Sequence, residues 1–143
     1  MSSREPIEIV DRAPTLEEYL QLADAVGWSR YLSPETARRA LANSLFAVVA
    51  ERGGRCVGMA RIVGDRALFF YVQDVAVTPD SQGQGVGHLL MERLMRWLGE
   101  NAPAKAFVGL FSATGKAPFY RRYGFVPAGE ERPGMSQYLG MPE

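Results

Sequence analysis

Three glycines alternate at Gly83, Gly85 and Gly87, between an apolar run ending Val75-Ala76-Val77-Thr78-Pro79 and an amphipathic stretch opening at Val86. An α-helix begins with main-chain N–H groups that have no partner inside the helix, and its dipole makes that end partly positive. An anion such as a phosphate satisfies both. Residues without Cβ let the backbone approach such an anion closely. Strand, glycine-rich turn and helix in this order describe a cradle for a pyrophosphate. A P-loop needs Lys-Ser or Lys-Thr after its last glycine, whereas Gly87 is followed by His88-Leu89. A dinucleotide fold needs Gly-x-Gly-x-x-Gly and an acidic residue about twenty positions on. The glycine spacing here differs, and the stretch Ala104-Lys105-Ala106 has no acid.

What remains is Gln82-x-x-Gly85-x-Gly87 directly after an apolar strand, followed by an amphipathic helix. This resembles the coenzyme A motif of the GCN5-related N-acetyltransferase (GNAT) superfamily. Downstream, Ala117-Pro118-Phe119-Tyr120-Arg121-Arg122-Tyr123-Gly124-Phe125 resembles the Phe-Tyr-x-x-x-Gly-Phe signature near the C-terminus of the same superfamily. The resemblance covers residues 45 to 128 clearly, and the N-terminal helices fit it by position.

The resemblance implies one acetyltransferase domain over residues 1–143 that moves an acetyl group from acetyl-CoA, as co-substrate, to a primary amine by direct attack in a ternary complex. The amine is a small amine, an amino acid or a protein amine. It implies that main-chain groups of Val75, Ala76 and Val77 meet the pantetheine arm. Gln82, Gly83, Gln84, Gly85, Val86, Gly87 and His88 would then hold the pyrophosphate. Relatives often carry Arg where this chain has Gln82; Gln brings no charge, so main-chain N–H groups must bear more of the grip. His88, the only histidine, reads as a first-turn helix residue too distant from the acetyl group to act as a base. Tyr120 is the implied acid for the departing thiolate. A phenol with a pKa near 10 can protonate a thiolate whose acid form is near 8.5. The plainer reading packs Tyr120 beside Phe119 with its hydroxyl in water.

An amine must lose a proton to attack a thioester. Arylalkylamine N-acetyltransferases place histidines where this chain has Tyr71 and Gln73, and neither is a ready base. Strand alternation predicts Asp74 on the opposite face from Tyr71, Gln73 and Val75, so a water chain is the expected proton path. Trp28 and Tyr31, and Phe111 and Tyr138, are candidate acceptor-pocket walls or plain apolar packing. Dimerisation, common among relatives, makes a homodimer an expectation. The absence of a ready base leaves a non-catalytic acyl-CoA-binding module as the alternative.

These residues need elements to hold them. The pattern predicts a strand at Ile7–Val10, a helix from Pro14 to Val26, and a second helix from Glu35 to Leu41 with Ser33-Pro34 as its start. A meander follows: Leu45–Glu51, Arg55–Val63 and Ala67–Val77, with turns at Gly53-Gly54 and Gly64-Asp65. Aromatic and β-branched residues on both faces of the third run predict a central strand covered on both sides. A helix spans Val86–Leu98 with Val86, Leu89, Leu90, Leu94 and Trp97 as its apolar stripe. Next come a strand at Ala106–Phe111, a short helix at Lys116–Tyr123 stopped by Gly124, and final strands at Phe125–Val126 and Gln137–Leu139. The expected fold is mixed α/β, GNAT-like. A largely antiparallel twisted sheet of about six or seven strands carries helices on both faces.

Composition sets the outer limits. The 143 residues suit one domain, and 47% are apolar. Net charge is zero, which argues against nucleic-acid or membrane-surface binding. The single cysteine, Cys56, cannot form an internal disulfide and reads as a small buried residue. One His and one Cys offer no typical zinc site. No apolar run suits a signal or a membrane span, so a cytoplasmic protein without metal, nucleic-acid or membrane partners is expected.

Overall fold

Thr15 ends an extended segment and starts a helix because its side chain can replace a missing helical acceptor. Its Oγ1 accepts the Glu18 N–H at 3.1 Å, and the Glu18 carboxylate accepts the Thr15 N–H at 2.8 Å. This reciprocal cap fixes the start of α1, Leu16–Ala25. Ser33 caps α2, Pro34–Ala42, with its side chain alone, accepting the Thr36 N–H, with Pro34 in the first turn. A computed structural model describes residues 5–28 and 33–140. The chain divides into a unit ending at Leu110 and a unit beginning at Phe111.

The first unit is built on a sheet of five strands in the order β1-β2-β3-β4-β5. These are β1 Ile7–Val10, β2 Phe46–Arg52, β3 Arg55–Gly64, β4 Phe69–Val77 and β5 Phe107–Gly109. The first four pair antiparallel in sequence; short turns join β2 to β3 and β3 to β4, whereas α1 and α2 lie between β1 and β2. After α3, Val86–Asn101, the chain returns and β5 pairs parallel to β4. Helices cover both faces of the sheet. On one side Tyr19 and Leu22 of α1 and Ala37 and Leu41 of α2 pack with Met59 and Ala76. On the other, α3 comes so close that a Cβ on Gly58 would lie 3.2 Å from Leu90 Cδ1 and 3.3 Å from Val86 Cγ1. Gly58 and Met59 are neighbours on one strand and therefore face opposite layers.

Four expectations need correction. The sheet has five strands among the described residues, because Phe125–Val126 and Gln137–Leu139 are irregular. Those runs are only two and three residues long, and Val126, Tyr138 and Leu139 are exposed. Second, β4 is not covered on both sides along its length. Phe70 and Val72 are buried while Phe69 and Tyr71 are exposed. Third, α3 turns Leu89 outward and buries Met91 and Leu98, with Trp97 stacked on Phe46 at 5.1 Å.

The fourth concerns Asp74. Opposite β3, the register passes from Arg61↔Gln73 to Met59↔Ala76, so β4 carries one extra residue. Asp74 sits in this bulge with φ 57°. Alternation breaks there: Phe70 packs against Trp97 of α3, yet Ala76 packs with α1 and α2. Asp74 itself pairs at 2.6 Å with Arg61 Nε, whose Nη1 donates to Ala40 O and Ser44 Oγ at the end of α2. It therefore shares the face of Tyr71 and Gln73.

Two stability predictions follow from these contacts. The Arg61–Asp74 pair is only 12% and 17% exposed, so Asp74→Ala strands a nearly buried guanidinium and should cost about 3 kcal/mol in urea unfolding. Arg12 binds Glu18 at 2.7 Å and Glu51 at 2.9 Å. Its hydrogen bond holds the Glu18 carboxyl below the usual carboxylate range. A depressed folded pKa adds stability above the unfolded value of 4.5 and loses it as pH falls through the folded one. The midpoint of thermal unfolding should drop below pH 4.5, and Glu18→Gln should flatten that acid limb.

Candidate functional site

A strand's main-chain groups alternate between its two edges. The Thr78 N–H donates to Val57 O on β3 at 2.9 Å, and Ala76 O also points toward β3 at Gly58. Val75 and Val77 therefore present their main-chain groups on the other edge. β5 pairs with that edge only at Phe69–Tyr71. Among the described residues no strand pairs with β4 beyond Tyr71 on that side.

The segment after β4 folds back over its end. Pro79–Ser81 makes one 3-10 turn, Gln82 is extended, and Gly83 and Gly85 take φ 78° and 83°. No atom lies within 4 Å of a Cβ built on either glycine, so their backbone conformation, and not crowding, requires glycine. Gly85 is the N-cap of α3, and Leu89 N–H bonds to its carbonyl at 3.1 Å. The N–H groups of Val86 and Gly87 precede that bond, where the helix's own i−4 acceptors run out. Val86 is buried, while Gly87 and His88 are half-buried.

Side chains fix the loop's shape. The Gln82 amide donates to Val77 O at 2.9 Å, joining the two groups of expected cofactor residues, Val75–Val77 and Gln82–His88. Thr78 Oγ1 donates to Asp80 Oδ1 at 2.7 Å, which is the main reason the Asp80 carboxyl is held low. Gln84 donates to Asp80 O at 3.2 Å. From beneath, Arg52 at the end of β2 donates from Nη1 to Ser81 Oγ at 2.9 Å and from Nη2 to Gln84 Oε1 at 2.7 Å. Sequence reading missed Arg52 and Ser81. The one available signal was a charged residue closing an apolar strand immediately before Gly53-Gly54.

Tyr120 belongs to the second unit, on α4, Ala117–Arg121. Its ring meets Phe119 at 5.0 Å and Phe125 at 6.2 Å, both edge-on, and Phe119 also meets Tyr123. Gly124, with φ 90°, turns the chain so that Phe125 returns its N–H to Tyr120 O at 3.4 Å. The phenol is partly buried, and that desolvation pushes its pKa above the ordinary 10. Tyr120 thus packs against Phe119 as the plainer reading expects.

The remaining candidates divide. Trp28 is partly exposed and Phe111 and Tyr138 are exposed; Phe111 rests against Gly134. Tyr31 lies outside the described residues. Burial pushes the Cys56 thiol up to about 11, so it stays a protonated thiol at neutral pH. Among the described residues no group of three or more His, Cys, Asp or Glu could hold a metal ion. No described helix is long and apolar enough to cross a membrane.

Comparison with known proteins places this geometry. Residues 15–134 match the family model described as an acetyltransferase (GNAT) domain. The chain is 33% identical over 127 residues to histone acetyltransferase TAP1 of Glycine max, covering 82% of this chain and 54% of that protein. It is 34% identical over 108 residues to the chloroplastic serotonin N-acetyltransferase 2 of Oryza sativa subsp. japonica, covering 73% and 53%. The chain thus spans about half the length of these curated relatives. A solved structure of a probable acetyltransferase from meticillin-resistant Staphylococcus aureus superposes with a TM-score of 0.87 at 30% identity, over 94% of this chain and all of that one.

The loop geometry ranks two substitutions. Gly85→Val forces a β-branched residue to the φ of 83° at the helix cap and should abolish acetyl-CoA binding in titration calorimetry. Gln82→Ala removes one exposed hydrogen bond to Val77 O and should weaken binding by about fivefold. The reverse order would mean that side chains, and not the backbone, hold the anion.

Proposed function

Because this chain belongs to the GNAT family of acyl-CoA-dependent acetyltransferases, we propose that it moves an acetyl group from acetyl-CoA to a primary amine by direct attack. The observation that carries the reading is the stretch of β4 at Val75–Val77, which among the described residues lacks a strand partner on one edge and leads straight into the Gly83–Gly87 turn and the start of α3. An extended pantetheine arm would pair with the free main-chain groups of Val75 and Val77 as an added strand would. The pyrophosphate would lie at the N–H groups that open α3. Val77 O already accepts from Gln82, so Val75 carries the greater share of that pairing.

In the reaction the amine lone pair attacks the thioester carbon, and the oxygen gains negative charge. The N–H of Val75 faces it as an oxyanion donor. The C–S bond then breaks, and Tyr120 gives its phenolic proton to the departing thiolate. The family signature and a phenol that burial keeps neutral well past pH 7 support this role. The phenolate recovers a proton from the protonated amide product through water. Asp74, now on the face of Tyr71 and Gln73, is engaged by Arg61 at 2.6 Å, so it is not offered as the base and the amine's proton leaves through water.

The acceptor class is a small amine, an amino acid or a protein amine. One relative's name refers to histone and the other's to serotonin, so the family leaves that range open. Mass detection of acetylated product across an amine panel, with free thiol release, tests the reaction. Binding of acetyl-CoA without thiol release would instead mark a binding module. Tyr120→Phe should lower turnover at least about 100-fold while acetyl-CoA affinity changes little; unchanged turnover would remove Tyr120 from the chemistry.

A further inference from the structure

Arg52 is 7% exposed, one of the few buried charged or polar residues among those described. An arginine is withdrawn from water at a cost unless its donors are met. Here they are met by three neutral acceptors from two segments, the one before β1 and the loop before α3. Nε donates to Glu5 O at 3.1 Å, Nη1 to Ser81 Oγ at 2.9 Å, and Nη2 to Gln84 Oε1 at 2.7 Å. No carboxylate among the described residues lies within ion-pair distance of it. The nearest paired acid on the loop, Asp80, is engaged by Arg55 and Thr78.

We propose that Arg52 is the positioning residue of the pyrophosphate loop, fixing Ser81 and Gln84 from below and placing an unneutralised positive charge beneath the anion. The inference rests on the proposed function, since it presumes a pyrophosphate at Gln82–His88. It changes one expectation. With Gln82 uncharged, main-chain N–H groups were expected to bear more of the grip, and Arg52 supplies a buried cation from a different strand. A guanidinium suits the task because its planar fork reaches Ser81 and Gln84 at once while Nε reaches a third acceptor. A buried charge is also less screened by salt than an exposed lysine.

Two donors separate this role from a merely structural one. Acetyl-CoA carries the pyrophosphate, and S-acetylpantetheine carries the thioester and the arm without it. Arg52→Met should raise KM for acetyl-CoA about tenfold or more and leave KM for S-acetylpantetheine unchanged. Arg52→Lys, which keeps the charge but cannot fork, should fall between. If Arg52→Met is too unstable to purify, Gln84→Leu carries the same test. Gln84 is exposed, so the variant should purify folded with a thermal midpoint lowered by the lost Nη2 acceptor, and show the same donor-specific rise. Equal changes for the two donors, or no change for either, would overturn the assignment. A wild-type protein that turns over neither donor would instead defeat the acetyltransferase reading beneath it.

Discussion

A β-strand in the interior of a sheet must find partners for its main-chain groups along both edges. β4 meets this on the β3 side along its length, but on the other side only as far as Tyr71. The rest of the site is a response to that stretch. Gln82 folds back to donate to Val77 O, which shortens the unpaired edge from its C-terminal end. Gly83 and Gly85 supply the two left-handed residues that let the chain reverse so soon after the strand. α3 then starts beside the strand it has just left. A second edge partner that is a ligand, and not a strand, would find acceptors, donors and a helix N-terminus in one line.

The bulge at Asp74 is tied to the same edge. An extra residue in β4 bends the strand and increases its local twist, and it occurs just past the last residue that β5 pairs, Tyr71. A non-glycine residue at φ 57° carries a backbone cost. Asp is among the residues that tolerate that region best, and the Arg61 pair with its further bonds to Ala40 O and Ser44 offsets the cost. The pair thus links the bend in β4 to the end of α2. Its value is in holding a shape, because a nearly buried ion pair gains little over apolar packing in free energy.

The glycine-rich turn between β4 and α3 was legible from sequence because its requirements are local. Alternate glycines between an apolar strand and an amphipathic helix can be read within fourteen residues of one another, Val75 to His88. The capped starts of α1 and α2 were legible for the same reason. What failed was parity. Counting by twos from Tyr71 put Asp74 on the wrong face, and a single inserted residue reverses every assignment after it. The bulge is specified by pairing across β3 and by Arg61, thirteen residues away in sequence. Arg52 was hidden similarly: it lies 29 residues from Ser81 and 32 from Gln84, and a strand-end arginine beside a glycine turn ordinarily reads as a solvated residue. The extra strands expected at Phe125 and Gln137 failed for the opposite reason. Local β-propensity was present, but propensity without a neighbour to pack against does not make a strand.

A chain with zero net charge can still serve a polyanionic ligand if its charges are sorted by depth instead of number. Arg12, Arg55, Arg61 and Arg93 each have a carboxylate partner, so their fields are largely cancelled nearby. Arg52 has neutral acceptors and lies beneath the loop. The local potential at the start of α3 is therefore set by one buried guanidinium and by oriented N–H groups, whatever the total charge. On the proposed reading an anion there would ask for little reorganisation, because Arg52, Ser81 and Gln84 are already held together. On the proposed reading the loop, α3 and Arg52 would serve the donor's pyrophosphate, and the choice of amine would be set by other residues.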